Sequence, residues 1–176
     1  MAAVTPGVVP PRGRQAFGAV LLLALGGAAW LGCAAPKIRR PTGDRITELH
    51  LFGVPVALEL NGRPGPDGLG VRIYATAGPA ARGIAIRRGT LDILMFEGPV
   101  DPALIASLPA QQVWSFSAAN LSTLAAETSL GIGYQLALRW EKAPPREPLV
   151  TVVARYRSPE GQIFYSTADA IAISPK

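Results

Sequence analysis

Few residues in this chain could carry chemistry. There is one cysteine, Cys33, in the stretch AAWLGCAAPK, and one histidine, His50, in ITELHLFG. A lone cysteine is a core residue, a reactive thiol or an attachment point. With no second cysteine there is no intramolecular disulfide, and Cys/His metal ligands are lacking. A lone histidine acts as a base or ligand only where other polar groups converge on it. His50 alternates with Glu48 and Phe52, which reads as a strand surface residue. Asp67 and Asp92 stand isolated in sequence. Asp67 sits in a turn-forming run without the acid spacing of a calcium loop. Ser115 and Ser117 lack the context of a nucleophile elbow. GLGVR and GIGYQ are glycine-rich, but neither leads into a helix, as a phosphate loop does. The expectation is no catalytic residue, no metal site and no cofactor.

The basic residues point to no nucleic acid either. The net charge is +5, and from Cys33 onward there are 15 basic and 12 acidic residues. They are scattered; Arg39-Arg40 and Arg87-Arg88 are the only adjacent pairs. No RNA-binding aromatic motif, zinc-finger spacing or basic helix accompanies them. Arg72, Arg139, Arg155 and Arg157 are expected to share one solvated sheet face, which is the usual place for charge on an antiparallel sheet. Tyr74, Tyr134, Trp140 and Tyr156 are expected to pack in or near the core.

The elements that must position these residues are mostly strands. Gly (19) and Pro (17) are abundant among 176 residues, which favours turns and short strands over long helices. Period-two alternation predicts strands over 54–60, 69–76 and 132–140, and LVTVVARYR at 149–157 reads as a further strand. Short apolar or aromatic runs predict others at 91–96, 113–116, 162–166 and 170–173. The turn signals are NGRPGPDG at 61–68 and SPEGQ at 158–162. SAANLSTLAAET, 117–128, is the one helix candidate. Ser117 or Asn120 would cap it and Gly131 would end it.

The first 32 residues differ from the rest. Arg12 and Arg14 precede the apolar run AFGAVLLLALGGAAWL at 16–31, and small residues and Cys33 follow it. A positive n-region before an apolar h-region of this length is a signal peptide pattern. The run is short of the ~20 residues of a full membrane span. Leu31-Gly32-Cys33 resembles the end of a bacterial lipoprotein signal, with Trp30 standing where leucine is usual. The resemblance implies a diacylglycerol on the Cys33 sulfur, cleavage before it, and often acylation of the new amino group. Ala34, not Asp, would then favour the outer membrane. Ordinary signal-peptidase cleavage, for instance after Ala34, and an uncleaved single N-terminal anchor are the alternatives.

Two further stretches, GRPGPDGLGVRIY at 62–74 and VVARYR at 152–157, resemble the outer-membrane lipoprotein of type VI secretion systems. That family is a lipidated sandwich of transthyretin type with no catalytic site. It binds the periplasmic end of an inner-membrane partner through loops, so residues 77–89 would be partner-binding candidates. The expectations are then a signal peptide over 1–32, a lipidated tether over 33–45 and a β-sandwich over 46–176. The fold class is all-β, mainly antiparallel, of immunoglobulin or transthyretin type, with one short helix and a preceding signal helix. The expected role is a non-enzymatic structural or protein-interaction module of the cell envelope, bound to membrane by lipid on Cys33 and to an envelope protein. An envelope enzyme or small-ligand binder is the rival reading.

Overall fold

A computed structural model describes residues 45–78, 81–141 and 143–173. Cys33 and the leader lie outside the described residues. The strands, in chain order, are β1 (Glu48–Gly53), β2 (Gly68–Thr76), β3 (Thr90–Glu97), β4 (Gln112–Ser117), β5 (Ala125–Thr128), β6 (Gly131–Arg139), β7 (Leu149–Arg157), β8 (Ile163–Tyr165) and β9 (Asp169–Ala172). A helix, α1 (Ala118–Leu124), separates β4 from β5. The first sheet has the order β1-β2-β6-β5 and the second β4-β3-β7-β8, with β9 also paired to β7. Every ladder between named strands is antiparallel.

Alternation in sequence becomes two faces in space, because successive strand side chains point to opposite sides of the sheet. Leu49, Leu51, Leu69, Val71, Ile73, Leu136 and Leu138 line the inner face of the first sheet. They meet Leu91, Ile93, Met95, Val150, Val152 and Ala154 from the second. This is the expected all-β sandwich with one short helix. Tyr74, Tyr134 and Tyr156 are buried, and Trp140 packs against the core at its edge, as expected. GLGVR and GIGYQ both form strand, in β2 and β6.

Two expected elements differ. The helix stops at Leu124, four residues early. Ser117 caps it as expected, accepting a hydrogen bond from the Asn120 N–H at 3.2 Å. Leu121 is its one buried residue, and Leu124 is exposed. With no apolar face to bury, residues 125–128 gain more by pairing with β6. Gly131 therefore opens β6 rather than ending a helix. Its φ is +101°, and a Cβ there would lie 2.5 Å from the backbone N and O of Gly83, which bridges to it.

The stretch 54–60 is not a strand. Pro55 removes a ladder donor. Val54 and Leu58 donate backbone hydrogen bonds to Gly70 and Gly68 of β2, while Ala57 donates to Ala172 of β9. The segment thus crosses from the first sheet to the second and contributes only isolated bridges.

Candidate interaction surfaces

The outer faces of the two sheets are finished differently. On the second sheet, Leu94, Phe96 and Val153 point outward yet are buried. Residues 98–110 fold over them and add Ile105, forming a second small core. A short 3-10 turn, Pro102–Leu104, shapes this cover, with Asp101 accepting from the Ala103 N–H at 2.9 Å.

Beside that cover lies Asp92, with no exposed surface. Its carboxylate accepts from Ser115 Oγ at 2.7 Å, from Arg155 Nη2 and Nε at 2.9 and 3.1 Å, and from Arg157 Nη2 at 3.3 Å. Burial pushes its pKa up. The Ser115 and Arg155 hydrogen bonds and the Arg157 charge outweigh this and hold it below the usual 3.8. Asp92 is therefore not isolated, as its sequence context implied. The register of the second sheet sets Ser115, Asp92 and Arg155 in one row across β4, β3 and β7. Arg155 and Arg157 share the one carboxylate of Asp92, and the cluster ties three strands together.

The expected common arginine face is also corrected. Arg155 and Arg157 belong to β7 in the second sheet, whereas Arg72 and Arg139 belong to β2 and β6 in the first. Arg139 donates to the Leu60 carbonyl at 2.6 Å. Arg72 pairs with no carboxylate among the described residues.

The outer face of the first sheet carries no cover over its middle. A groove of about 800 Å³ lies there, lined by Phe52, Val54, Leu58, Tyr74, Leu130 and Ala137, with Arg72 and Gln135 on its floor. Phe52, Arg72 and Gln135 form one row across β1, β2 and β6. Phe52 is 54% exposed and Leu130 59%. Gly70 makes one wall possible: a Cβ there would lie 2.8 Å from Val54 Cγ2 and 2.9 Å from Leu58 Cδ1. Tyr74 meets Phe52 edge to face, with ring centroids 6.2 Å apart. Grooves of this size and lining are typical of binding sites.

A third feature is a cleft of about 760 Å³ at one end of the sandwich, with Arg45, Arg87, Arg88, Tyr156 and Glu160 in its walls. Tyr156 donates to the Arg88 carbonyl at 3.0 Å; burial first, then the Glu160 charge, raises its pKa and keeps that proton in place. Within the expected partner-binding stretch 77–89, residues 83–86, just ahead of Arg87 and Arg88, are tied to the first sheet by hydrogen bonds. Ile86 N–H donates to Tyr134 Oη at 2.7 Å, and Gly83 and Ile84 bond to Leu130 and Ala75.

His50 lies on the outer side of β1, 3.4 Å from Thr76 Oγ1 and 3.7 Å from Glu48 Oε2. Its side chain is 41% exposed, in an open groove shared with β8. Asp67 shapes the turn, accepting from the Leu60 N–H. Ser117 caps α1. No group of three or more His, Cys, Asp or Glu that could hold a metal occurs among the described residues. No helix among them is long and apolar enough to cross a membrane. Comparison with known proteins returned no matching family model, no matching curated protein and no matching solved structure.

The groove was not singled out by sequence reasoning, yet part of its signal was legible. Alternation in β2 and β6 already sets Gly70, Arg72, Gln135 and Ala137 on one side. The contributions of Phe52, Val54 and Leu130 depend on long-range register and on the crossing of 54–60, which no local pattern announces.

Proposed function

We propose that this chain is a membrane-anchored envelope lipoprotein, held by lipid on Cys33, whose sandwich is a non-enzymatic protein-interaction module. The observation that carries the second half is the uncovered apolar face of the first sheet, with an uncompensated arginine in its floor. Solvent-exposed apolar side chains grouped around a groove mark binding surfaces. Arg72 sets the chemistry of the occupant. An unpaired guanidinium among Phe52, Tyr74 and Ala137 favours a carboxylate, and Arg holds carboxylates through paired hydrogen bonds. The proposed occupant is an apolar segment of another envelope protein that bears an Asp or Glu facing Arg72. The first half rests on the leader and on the Leu31-Gly32-Cys33 pattern. The narrower reading, a type VI secretion lipoprotein, rests on the two resembling stretches, the first running from a turn into β2 and the second in β7 of the other sheet.

Both halves have direct tests. Mass spectrometry of the membrane-extracted chain should find an N-terminus at Cys33 with acyl mass; retention of residues 1–32 would sink the anchor. Peptides selected from a random display library against the full chain should be apolar with one acid. They should lose binding to Arg72→Glu and regain it when their acid becomes lysine. Ligands indifferent to Arg72→Glu, or self-association of the chain through the groove, would overturn the groove reading.

A further inference from the structure

We infer that the arginine cleft seats the phosphate of an anionic lipid headgroup, so that this end of the sandwich lies against the membrane. The inference rests on the reading of Cys33 as anchor and concerns a surface distinct from the groove. Sequence separates Arg45 from Arg87-Arg88 by more than forty positions. The fold closes that distance: β1 begins, β2 ends, β3 begins and β7 ends at one end of the sandwich, as the pairs Glu48↔Thr76 and Thr90↔Arg157 show. Arg45 leads into β1, and Arg87-Arg88 lead into β3, so Arg45, Arg87 and Arg88 all line one cleft.

Among the described residues of its walls the one carboxylate is Glu160. It is held below its ordinary pKa first by hydrogen bonds from its own backbone N–H and from Ser158, and less by Arg88 and Arg45. Two arginines of the cleft, Arg45 and Arg88, act on this one carboxylate and leave the cleft a positive balance. Its arginines offer planar forks of donors that match phosphate oxygens. Arg45 is steadied by its hydrogen bond to Gln162 Oε1 at 2.9 Å.

The source of the phosphate follows from where the chain enters. Arg45 is twelve residues beyond Cys33, and a chain of that length spans at most about 40 Å. Lys37, Arg39 and Arg40 lie in the same short segment, with Asp44 its one acid. An anionic bilayer surface draws on all of these bases together with the cleft, within its screening length. A free phosphate ion gains nothing from the tether. The opposite end, where Gly68 pairs with Arg139, then points away from the bilayer.

The test is hydrogen–deuterium exchange on the full chain reconstituted in vesicles of phosphatidylcholine alone or with phosphatidylglycerol. In anionic vesicles at low salt, amides of 158–162 and 87–89 should exchange at least threefold more slowly than in neutral ones. The difference should vanish in 0.5 M salt and in the double variant Arg45→Gln/Arg88→Gln, while β2 and β6 amides stay unchanged. Equal exchange in both vesicles would overturn the inference. So would equal protection by inorganic phosphate in neutral vesicles, which would make the cleft a free-anion site. The same pair of vesicles with Cys33→Ser, still carrying its apolar leader, separates this from the anchor reading. Absence of acyl mass from the parent chain, with the vesicle difference intact in both chains, refutes the lipid on Cys33 but not the cleft.

Discussion

The two outer faces of this sandwich start from similar material and end differently. Leu94, Phe96 and Val153 on the second sheet are as apolar as Phe52, Val54 and Leu130 on the first. The second sheet is closed from within the chain, by residues 98–110 over its apolar half and by the Asp92 cluster over its charged half. On the first, Phe52 and Leu130 stay open to solvent, and Arg72 has no acid opposite it among the described residues. Tyr74 is the nearest thing to a cover there, laid over Gly133 and against Gly83. A face whose buried acid is paired and whose apolar groups are covered contributes stability. A face left with both exposed is, on the proposed reading, where another molecule docks.

That contrast predicts opposite responses to substitution. The largest stability effect belongs to the closed face. Leu94→Ala, which empties a buried site under 98–110, should cost about 3 kcal/mol in urea unfolding. Asp92→Asn should cost about 2 kcal/mol, because two guanidiniums lose a charged acceptor while Ser115 keeps its partner. This loss depends on pH in a definite direction. The folded pKa of Asp92 is lowered, so its contribution is complete above 3.8 and disappears as pH falls through the lower folded value. The gap between the parent chain and Asp92→Asn should therefore narrow below pH 4 and close in stronger acid. A gap that widens there would refute the charged cluster.

On the open face, Phe52→Asp and Leu130→Asp should change stability by less than about 0.5 kcal/mol. Each should nonetheless weaken capture of the apolar, acid-bearing ligand by about 2 kcal/mol, roughly thirtyfold. A large stability loss in either would mean that the face is structural. The smallest effect is expected at His50, which sits half exposed beside Glu48 and Thr76. His50→Ala should alter both stability and binding by under about 0.5 kcal/mol.

Sequence made the sandwich legible because alternation is local: Leu69, Val71 and Ile73 announce their common face within five residues. It misread 54–60, where the alternation is real but Pro55 and the crossing to β9 prevent a ladder. It overextended the helix because capping by Ser117 starts a helix but does not say how much of it will be buried. The Asp92 cluster and the groove escaped for a shared reason. Asp92 lies 23 positions from Ser115 and 63 from Arg155, and Phe52 meets Arg72 only through pairing register. Neighbours made by register carry no mark in a single sequence. The lipid anchor at Cys33 is a sequence reading, and that residue lies outside the described structure.

The central claim is that the uncovered face of the first sheet is where this protein meets its partner. A photoreactive residue placed in turn at positions 52, 130 and 113 of the full chain, in membranes of producing cells, tests it most directly. Positions 52 and 130 lie at the groove, while Val113 is exposed on β4 of the other sheet. The account predicts that 52 and 130 cross-link to one and the same partner segment, apolar and bearing an Asp or Glu. Position 113 should not, and Arg72→Glu should suppress the cross-link. Cross-links from 113 alone, or from 52 and 130 only to a second copy of this chain, would contradict it.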